Sequence, residues 1–452
     1  MESRKTKIVI VSGTDHAVWR FRRAFVATLI HLGYDVTVIS PDGPYAERLR
    51  CLGCTHENIS VDRFIGGSAD IIYPFRLYRM IRRIRPDIVY TMTTKPNIVA
   101  PLVTKLACRA SVCSVFGGLG FIYSAGGNLL AKIVKSVARI MMRCGTRFTD
   151  HFVFQNTEDR DVFQRAGLLK KKHSLVVNGS GVNLREFSCN DIDEHRINEI
   201  RREFGVSPTG TLVVMISRIA QNKGILDFID ASTHFSDKKD NIRFIHVGSL
   251  ESGSLESVLQ SRIVETPLFK QVGFRTDIRE IIRAADIIAL PSYHREGIPN
   301  VLVEAGAMKR AVVTTDNVGC RDVVDHGVNG LLVPIKNPAA LAEAIRILAD
   351  DPEMRKRMGE AGFEKVKQQF TVESVNKKIL EEVFGIADPM LPEFFTEEIG
   401  ERLCVNIDGH SQWFRVQAIG NDHELNAGRK KHLNHEEPTE VHPLPSDFRV
   451  AG

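Results

Sequence analysis

The chain has 452 residues, of which 43% are hydrophobic and 25% are charged, and this balance excludes an intrinsically disordered protein. A single hydrophobic core rarely extends over such a length, so two domains are predicted. The net charge of +5 is divided unevenly, because residues 1–190 hold 28 Lys and Arg against 14 Asp and Glu. A basic first half indicates an anionic partner such as a phosphate, a nucleic acid or a lipid surface.

The N-terminus and the cysteines indicate the compartment. The first apolar run, at residues 7–12, is too short for the hydrophobic region of a secretory signal, and no run approaches the roughly 18 apolar residues of a membrane-spanning helix. Eight scattered cysteines suit a reducing compartment rather than a disulfide framework. Cys51 and Cys54 form a CxxC pair, but no second pair completes a zinc site. We therefore expect a cytoplasmic protein.

Short apolar runs alternate with amphipathic stretches of helical length along most of the chain. This alternation predicts an α/β protein with two Rossmann-like, doubly wound parallel-sheet domains facing each other across a cleft. The runs predicted as strands lie at 7–12, 34–40, 87–92, 110–115 and 151–154 in the first half, and at 211–217, 242–247, 286–291, 311–315 and 330–334 in the second.

A glycine-rich stretch at 178–183 predicts a hinge between the two series of strands. The N-terminal domain is accordingly placed at 1–185 and the C-terminal domain at 186–385. The alternation then stops, and residues 386–452, which include several histidines and prolines, are predicted to be a poorly ordered tail with a hairpin near Asp408-Gly409.

Two glycine-containing loops follow predicted strands of the first half, at the sheet edge where ligands bind. Gly13 ends the first run, and the missing Cβ lets a backbone or an anion approach closely. No G-x-G-x-x-G follows it, which counts against a dehydrogenase. The second loop, at 117–120, is equally consistent with room for an acceptor or donor sugar beside Gly118 and Gly120 and with a flexible turn.

Two basic amphipathic stretches in the first half could lie on anionic lipid. The alternative is a solvated basic face on a helix whose apolar side packs on the sheet. Across the first half as a whole, the aromatic residues do not alternate with the cations as a stacking platform requires, so a nucleic acid partner is not predicted. The cations are Arg76, Arg79, Arg82, Arg83 and Arg85 in the first stretch, and Lys132, Lys135, Arg139, Arg143 and Arg147 in the second.

A cationic loop follows the first predicted strand of the second half. Arg218 and Lys223 can converge beyond the end of this strand, where a planar guanidinium and a compact ammonium would suit a departing diphosphate. Two solvated surface cations are the alternative.

The most specific pattern is the segment 291–305, in which a buried strand is followed by a loop bearing Glu296 and by a helix that begins near Pro299. Backbone N–H groups at the start of this helix could hold a phosphate. Glu304 lies among apolar helix neighbours and needs polar partners, for which ribose hydroxyls, backbone amides or a salt bridge would all serve.

As a set, these motifs resemble the family-4 retaining glycosyltransferases of the GT-B fold, over roughly residues 6–385. The resemblance rests on Glu296 and Glu304 with seven residues between them, on Arg218 with Lys223-Gly224, on the linker and on the segment 323–333. In the first half, Ser12-Gly13 and the glycine run depart from the Gly-Gly pair and the histidine of many members. The glycine run and residues 19–22 resemble the branch acting on polyprenyl-diphosphate-linked sugars in bacterial surface polysaccharide assembly.

The resemblance implies a C-terminal donor domain, an N-terminal acceptor-side domain and a role for each motif residue. Arg218 and Lys223 would bind the donor diphosphate, Glu304 the ribose, and Glu296 hydroxyls of the transferred sugar. Gly13 would let the N-terminal loop approach the diphosphate. Backbone contacts to phosphate or sugar would come from Gly297, Ile298, Pro299 and Asn300.

The predicted function is transfer of a hexose or N-acetylhexosamine from a nucleoside diphosphate, expected to be UDP, to a lipid-linked or glycan acceptor with retained configuration. No metal or other cofactor is predicted, and the enzyme would contact the inner face of the plasma membrane peripherally. A sugar-nucleotide epimerase of the same architecture, and a non-catalytic sugar-nucleotide-binding or nucleic-acid-binding protein, are the alternatives.

Overall fold

The computed structural model describes residues 4–61, 68–119, 129–169, 173–236, 241–249, 266–389, 391–399, 402–407 and 410–415. Gly120, the side chain of Lys132, the turn at 408–409 and residues 416–452 therefore lie outside the described residues.

The N-terminal domain is a seven-stranded parallel sheet with helices on both faces. Its strand order is β3-β2-β1-β4-β5-β6-β7, so the order reverses between β1 and β4, where a crevice opens beyond the strand ends. The strands are β1 Lys7–Val11, β2 Asp35–Ser40, β3 Thr55–Asn58, β4 Ile88–Met92, β5 Ser111–Phe116, β6 His151–Phe154 and β7 His173–Val176; the helices are α1 Asp15–His31, α2 Ala46–Cys51, α3 Ser68–Ile84, α4 Thr94–Ala107, α5 Leu129–Thr146 and α6 Thr157–Arg165.

The C-terminal domain repeats this design with six parallel strands in the order β10-β9-β8-β11-β12-β13. Its switch point lies between β8 and β11, whose following loops carry the predicted donor residues. The strands are β8 Thr211–Ile216, β9 Ile242–Val247, β10 Phe269–Gln271, β11 Ile287–Leu290, β12 Ala311–Thr315 and β13 Gly330–Val333; the helices are α7 Glu194–Glu203, α8 Ile225–Ser232, α9 Ile278–Ala284, α10 Asn300–Ala307, α11 Cys320–Val323, α12 Pro338–Asp350 and α13 Pro352–Gln369.

Both sheets are buried on both faces, because their strands are nearly continuous runs of Val, Ile and Leu. The predicted fold class, two Rossmann-like parallel-sheet domains, is confirmed.

The last helix, α14 (Val372–Phe384), returns to the N-terminal domain. Its residues Val375, Ile379 and Leu380 are buried in the apolar core that α1 and the first sheet share. Placing this helix in the C-terminal domain was therefore wrong, because its apolar side is covered by the other domain. The chain passes between the domains twice, and the two connecting segments are hydrogen-bonded to each other. The N–H of Val182 donates to Phe370 O (2.8 Å), and the N–H of Val372 donates to Val182 O (3.1 Å).

Part of the predicted tail is also ordered. Strands β14 (Phe394–Ile399), β15 (Arg402–Ile407) and β16 (His410–Arg415) form an antiparallel sheet, so poor order is wrong for these segments. The physical reason is burial: Leu403 and Val405, on one face of β15, join the core beside α1.

In the described part of the chain, no helix combines the length and the apolar character needed to cross a membrane.

Candidate active site

Two loops at the switch point of the C-terminal sheet are bonded side by side. Asn222 O accepts the N–H groups of Tyr293 (3.1 Å) and His294 (3.0 Å). Gly224 has φ 82°, and a Cβ there would lie 2.0 Å from Pro291 O, so only glycine allows this close approach. The cationic loop and the segment leading into α10 are therefore neighbours, as the sequence predicts.

Lys223 and Glu296, one from each loop, form an ion pair. The hydroxyl of Ser292 donates a second hydrogen bond to the same carboxylate oxygen, Oε1 (2.9 Å). Burial pushes the pKa of Glu296 upward, but the charge and hydrogen bond of Lys223 outweigh it, and the pKa lies below its ordinary value. Glu296 is therefore ionised at neutral pH and acts only as a hydrogen-bond acceptor.

Arg218 lies on the same loop as Lys223, two residues after the end of β8, and its side chain is exposed at the edge of the switch point. Both cations that the sequence predicts to bind the diphosphate therefore lie on the loop that follows β8.

Glu304, in the second turn of α10, is 5% exposed and forms an ion pair with Arg20 of α1 in the opposite domain. Burial raises the pKa of Glu304, although the guanidinium of Arg20 opposes this effect. In return, the Glu304 carboxylate raises the pKa of Arg20. The sequence allows ribose hydroxyls, backbone amides or a salt bridge as partners of Glu304, and the structure shows the salt bridge.

A cavity lies beside this ion pair, between α1, residues 180–187 and α10. Its walls therefore come from both domains, and the carboxylate of Glu304 lies in one of them. The polar lining includes Arg20, Ser180, Asn183, Glu186, Asn300 and Glu304.

The start of α10 is partly occupied by the N-terminal domain. The N–H of Ile298 donates to Gln155 Oε1 (3.2 Å), and Pro299, the residue that caps the helix, has no N–H. Ile298 is 7% exposed, whereas Asn300 lines the cavity. Of these three residues, Asn300 has the clearest access to a ligand.

Gly118 and Gly297 lie where the two domains touch. Gly118 has φ 114°, and a Cβ there would lie 2.7 Å from the backbone N of Gly297. A Cβ on Gly297 would lie 2.1 Å from Gln155 Oε1. One interpretation of the glycine run is that it leaves room for an acceptor or donor sugar. The run does leave room, but at Gly118 the backbone of the C-terminal domain occupies it.

Gly13 makes its close contact inside the N-terminal domain. Its N–H donates to Thr93 Oγ1 (2.9 Å), and a Cβ would lie 2.9 Å from the same oxygen. The approach of this loop to a diphosphate stays a prediction.

A buried ion pair ties the loop that bears Glu296 to the N-terminal domain. Arg295, the neighbour of Glu296, contacts Asp159 through Nε and Oδ1 (2.5 Å), and Asp159 is completely buried. Burial raises the pKa of Asp159 despite the opposing effect of Arg295. In addition, Asn156 Nδ2 donates to Glu296 O (3.3 Å), so the position of this loop depends on how the domains pack.

Sequence reasoning missed the N-terminal partners of the site. Arg20 lies in the segment 19–22 that carried the resemblance, and Arg295 lies inside the most specific motif, but neither Asp159 nor Gln155 stands in a recognisable pattern. Their role comes only from packing between domains.

Among the residues that the structure describes, no three His, Cys, Asp or Glu side chains form a group that could hold a metal ion. Asp193, which could otherwise be a metal ligand together with Asp191, caps α7 by accepting the N–H of His195 (3.1 Å).

Comparisons with known proteins agree with this geometry. The family described as "Glycosyl transferase 4-like" matches residues 8–156, and the family described as "Glycosyl transferases group 1" matches residues 196–365. Each of these two stretches lies within one of the two domains. Together with the two parallel-sheet domains, the two family matches show that the chain belongs to the glycosyltransferases of the GT-B fold, with a 4-like N-terminal domain and a group 1 C-terminal domain.

Two curated relatives are similar over much of their length. The N,N'-diacetylbacillosaminyl-diphospho-undecaprenol alpha-1,3-N-acetylgalactosaminyltransferase of Campylobacter jejuni is 26% identical over 353 residues, covering 77% of this chain and 91% of the relative. The UDP-Gal:alpha-D-GlcNAc-diphosphoundecaprenol alpha-1,3-galactosyltransferase of Escherichia coli is 24% identical over 280 residues, covering 61% and 69%. The predicted class, a glycosyltransferase, is confirmed, and neither relative is an epimerase.

The solved structure of Anabaena Alr3699/HepE in complex with UDP-glucose superimposes with a TM-score of 0.70 at 19% identity, covering 84% of this chain and 100% of that one. This likeness supports the GT-B fold.

Proposed function

We propose that the protein is a retaining, metal-independent glycosyltransferase that moves a hexose or N-acetylhexosamine from UDP to a hydroxyl of a polyprenyl-diphosphate-linked sugar. The proposed setting is bacterial surface polysaccharide assembly. The observation that carries the proposal is the pairing of Lys223 with Glu296 on adjacent loops at the switch point of the donor domain.

In this proposal the donor diphosphate lies between the loop at 218–224 and the start of α10. The ammonium of Lys223 and the guanidinium of Arg218 neutralise the charge that grows as UDP departs, which makes a divalent metal unnecessary. The positive end of the α10 dipole adds to this effect. The carboxylate of Glu304 accepts the ribose hydroxyls, for which Arg20 has to move aside or share it.

Glu296 orients the transferred sugar. Because its pKa is lowered, the carboxylate is available to accept hydroxyl groups of that sugar next to the reacting carbon. The bond from the anomeric carbon to the diphosphate oxygen breaks, and the acceptor oxygen attacks from the same face. The acceptor proton passes to the departing diphosphate oxygen, so no protein nucleophile is needed. Positioning and fixed charge supply the rate.

The acceptor would enter from the N-terminal domain. Both curated relatives named above carry an undecaprenyl-diphosphate sugar in their names, and the first half of this chain is basic. The enzyme would therefore work as a peripheral protein on the inner face of the plasma membrane, where it contacts anionic lipid.

One experiment tests the reaction. Purified protein is incubated in EDTA with a panel of UDP-sugars and short-chain polyprenyl-diphosphate sugars, and the product linkage is assigned by NMR. The proposal expects transfer with the anomeric configuration of the donor. An inverted product, or transfer that requires added metal, would refute the assigned mechanism.

A further inference from the structure

The apolar side of α5 points away from the domain it belongs to. The side packed on the domain includes Lys135, Ala138 and Met142, which are all buried. On the opposite side, exposed fractions are 52% at Ile133, 48% at Val137, 65% at Ile140 and 41% at Met141. The alternative drawn from the sequence, in which the apolar side packs on the sheet, is therefore wrong.

A close contact with α4 fixes the rotation of α5. A Cβ on Gly145 would lie 2.5 Å from the backbone oxygen of Ile98, so the two helix backbones nearly touch there. This contact requires the glycine side of α5 to face inward, which leaves the Ile133–Ile140 side outward. The exposure is thus a consequence of packing, not of a loosely attached helix.

Two neighbouring helices also carry exposed apolar residues, and α4 packs against both α3 and α5. Leu106 of α4 is 67% exposed, and Ile71 and Phe75 of α3 are 74% and 71% exposed. Isolated exposed apolar residues are ordinary, but large ones on three adjacent helices indicate a surface that binds something.

The charges on the same three helices indicate what kind of partner binds this surface. Helices α3, α4 and α5 together hold ten Lys and Arg and one Asp. Arg76 and Arg79 of α3 are exposed beside Phe75, and Arg139 and Arg143 of α5 are exposed beside Ile140. Apolar side chains flanked by cations match a bilayer surface with anionic headgroups.

We propose that the outer side of α3, α4 and α5, here called the basic apolar face, docks on an anionic membrane. Ile133, Val137 and Ile140 enter the boundary between headgroups and acyl chains, and the arginines lie among the headgroups. This inference rests on the proposed function, because docking would serve to bring the enzyme to its lipid-linked acceptor.

The placement of this face gives the docking a direction. Ile71 and Phe75 lie in the first half of α3, and Ile133 lies near the start of α5. In a parallel sheet, the helix N-termini lie at the edge that carries the cleft. Insertion of these three residues would bring the cleft edge of the N-terminal domain close to the lipid, where the acceptor sugar projects from the bilayer.

The test measures flotation of the full-length protein with vesicles of phosphatidylcholine, with and without phosphatidylglycerol. We expect binding only to anionic vesicles, decreasing with salt. Arg76→Gln with Arg79→Gln should weaken binding about 25-fold, at about fivefold for each cation near the surface. Ile133→Ser with Ile140→Ser should weaken it by about tenfold or more.

Ile347→Ser is the matched control, because Ile347 is 42% exposed on α12 of the other domain; it should bind vesicles like the wild type. Unchanged binding in both double variants would overturn the proposal. So would variants that bind vesicles normally but lose a dimer in light scattering, because a second copy would then cover the face.

Transfer to a short-chain, water-soluble acceptor separates the two proposals. The double variants should keep this activity while losing transfer to acceptor embedded in vesicles. If the wild type binds anionic vesicles but transfers no sugar to any acceptor, the proposed function fails and the docking surface stands.

Discussion

The guanidinium of Arg20, in the first helix of the N-terminal domain, forms an ion pair with the buried carboxylate of Glu304 in the C-terminal domain. These residues are 284 positions apart in the chain. The carboxylate proposed to bind the donor ribose is thus held by a cation of the opposite domain. Donor binding and domain packing therefore act on the same carboxylate.

The first prediction concerns the pH dependence of donor binding. Burial raises the pKa of Glu304 and Arg20 opposes it, so the carboxylate that accepts ribose hydroxyls is lost as the pH falls through this raised pKa. Arg20→Gln removes the opposing charge and should move the acid loss of UDP affinity to higher pH. At a pH below the pKa of Glu304, each unit by which the substitution raises this pKa weakens UDP binding about tenfold.

Calorimetric titration with UDP across the acid range would measure this shift. Arg196→Gln serves as the control, because Arg196, on α7, forms a partly buried ion pair with Asp277 and does not line the cavity. Identical pH profiles for Arg20→Gln and the wild type would contradict the assignment of Glu304 to the ribose.

The second prediction concerns the Lys223–Glu296 pair. Lys223→Ala and Glu296→Ala should each lower kcat by about 10²–10³, the usual cost of removing one group that stabilises developing charge or positions the reacting atoms. The double variant should lose little more than either single one, because each residue depends on the other. Transfer assays with thermal unfolding as a folding control would measure this, and near-normal turnover in a folded single variant would refute the role.

The third prediction concerns the interdomain pair Arg295–Asp159. Arg295→Ala leaves a completely buried carboxylate without its cation and should lower the free energy of unfolding by roughly 2–3 kcal/mol. Arg160→Ala, on the same helix as Asp159, removes an exposed pair with Asp161 and should cost less than about 1 kcal/mol. Urea unfolding of both variants would measure the two losses of unfolding free energy. Equal losses would mean that the buried pair stabilises the protein no more than the exposed pair does.

The fourth prediction concerns the contact between Gly118 and Gly297. Gly118→Ala places a Cβ 2.7 Å from the Gly297 nitrogen at φ 114°, so it should separate the domains, enlarge the radius of gyration in X-ray scattering and reduce transfer about tenfold or more. Gly33→Ala is the control: its φ of 84° brings the same kind of strain, but open space surrounds it. Gly33→Ala should lose about 1 kcal/mol of stability and keep its activity. A compact, active Gly118→Ala protein would show that the contact is dispensable.

The sequence predicts the two sheets well, because strands buried on both faces must be continuous apolar runs, such as residues 287–290. It also brings the loops after β8 and β11 together, because neighbouring parallel strands end at one edge. It does not predict that α14 crosses back to the first domain, since an amphipathic helix does not state which domain covers its apolar side.

The same limit explains what sequence reasoning missed in the site. The partners Arg20–Glu304 and Arg295–Asp159 meet only when both domains are folded and packed, and no local spacing encodes that. For α5, the packed side includes the small residues Ala138 and Gly145, whereas Ile133 and Ile140 lie outside. Amphipathicity alone predicts two sides and leaves open which one faces inward.

We propose above all that a nucleoside diphosphate binds between the loop at 218–224 and helix α10 without a metal. Calorimetric titration of UDP in EDTA, with the wild type and with Lys223→Ala, tests it most directly. The account predicts binding to the wild type that added Mg²⁺ does not improve, and a Kd at least about tenfold higher in the variant. Equal affinity in the two proteins, or binding that appears only with Mg²⁺, would contradict it.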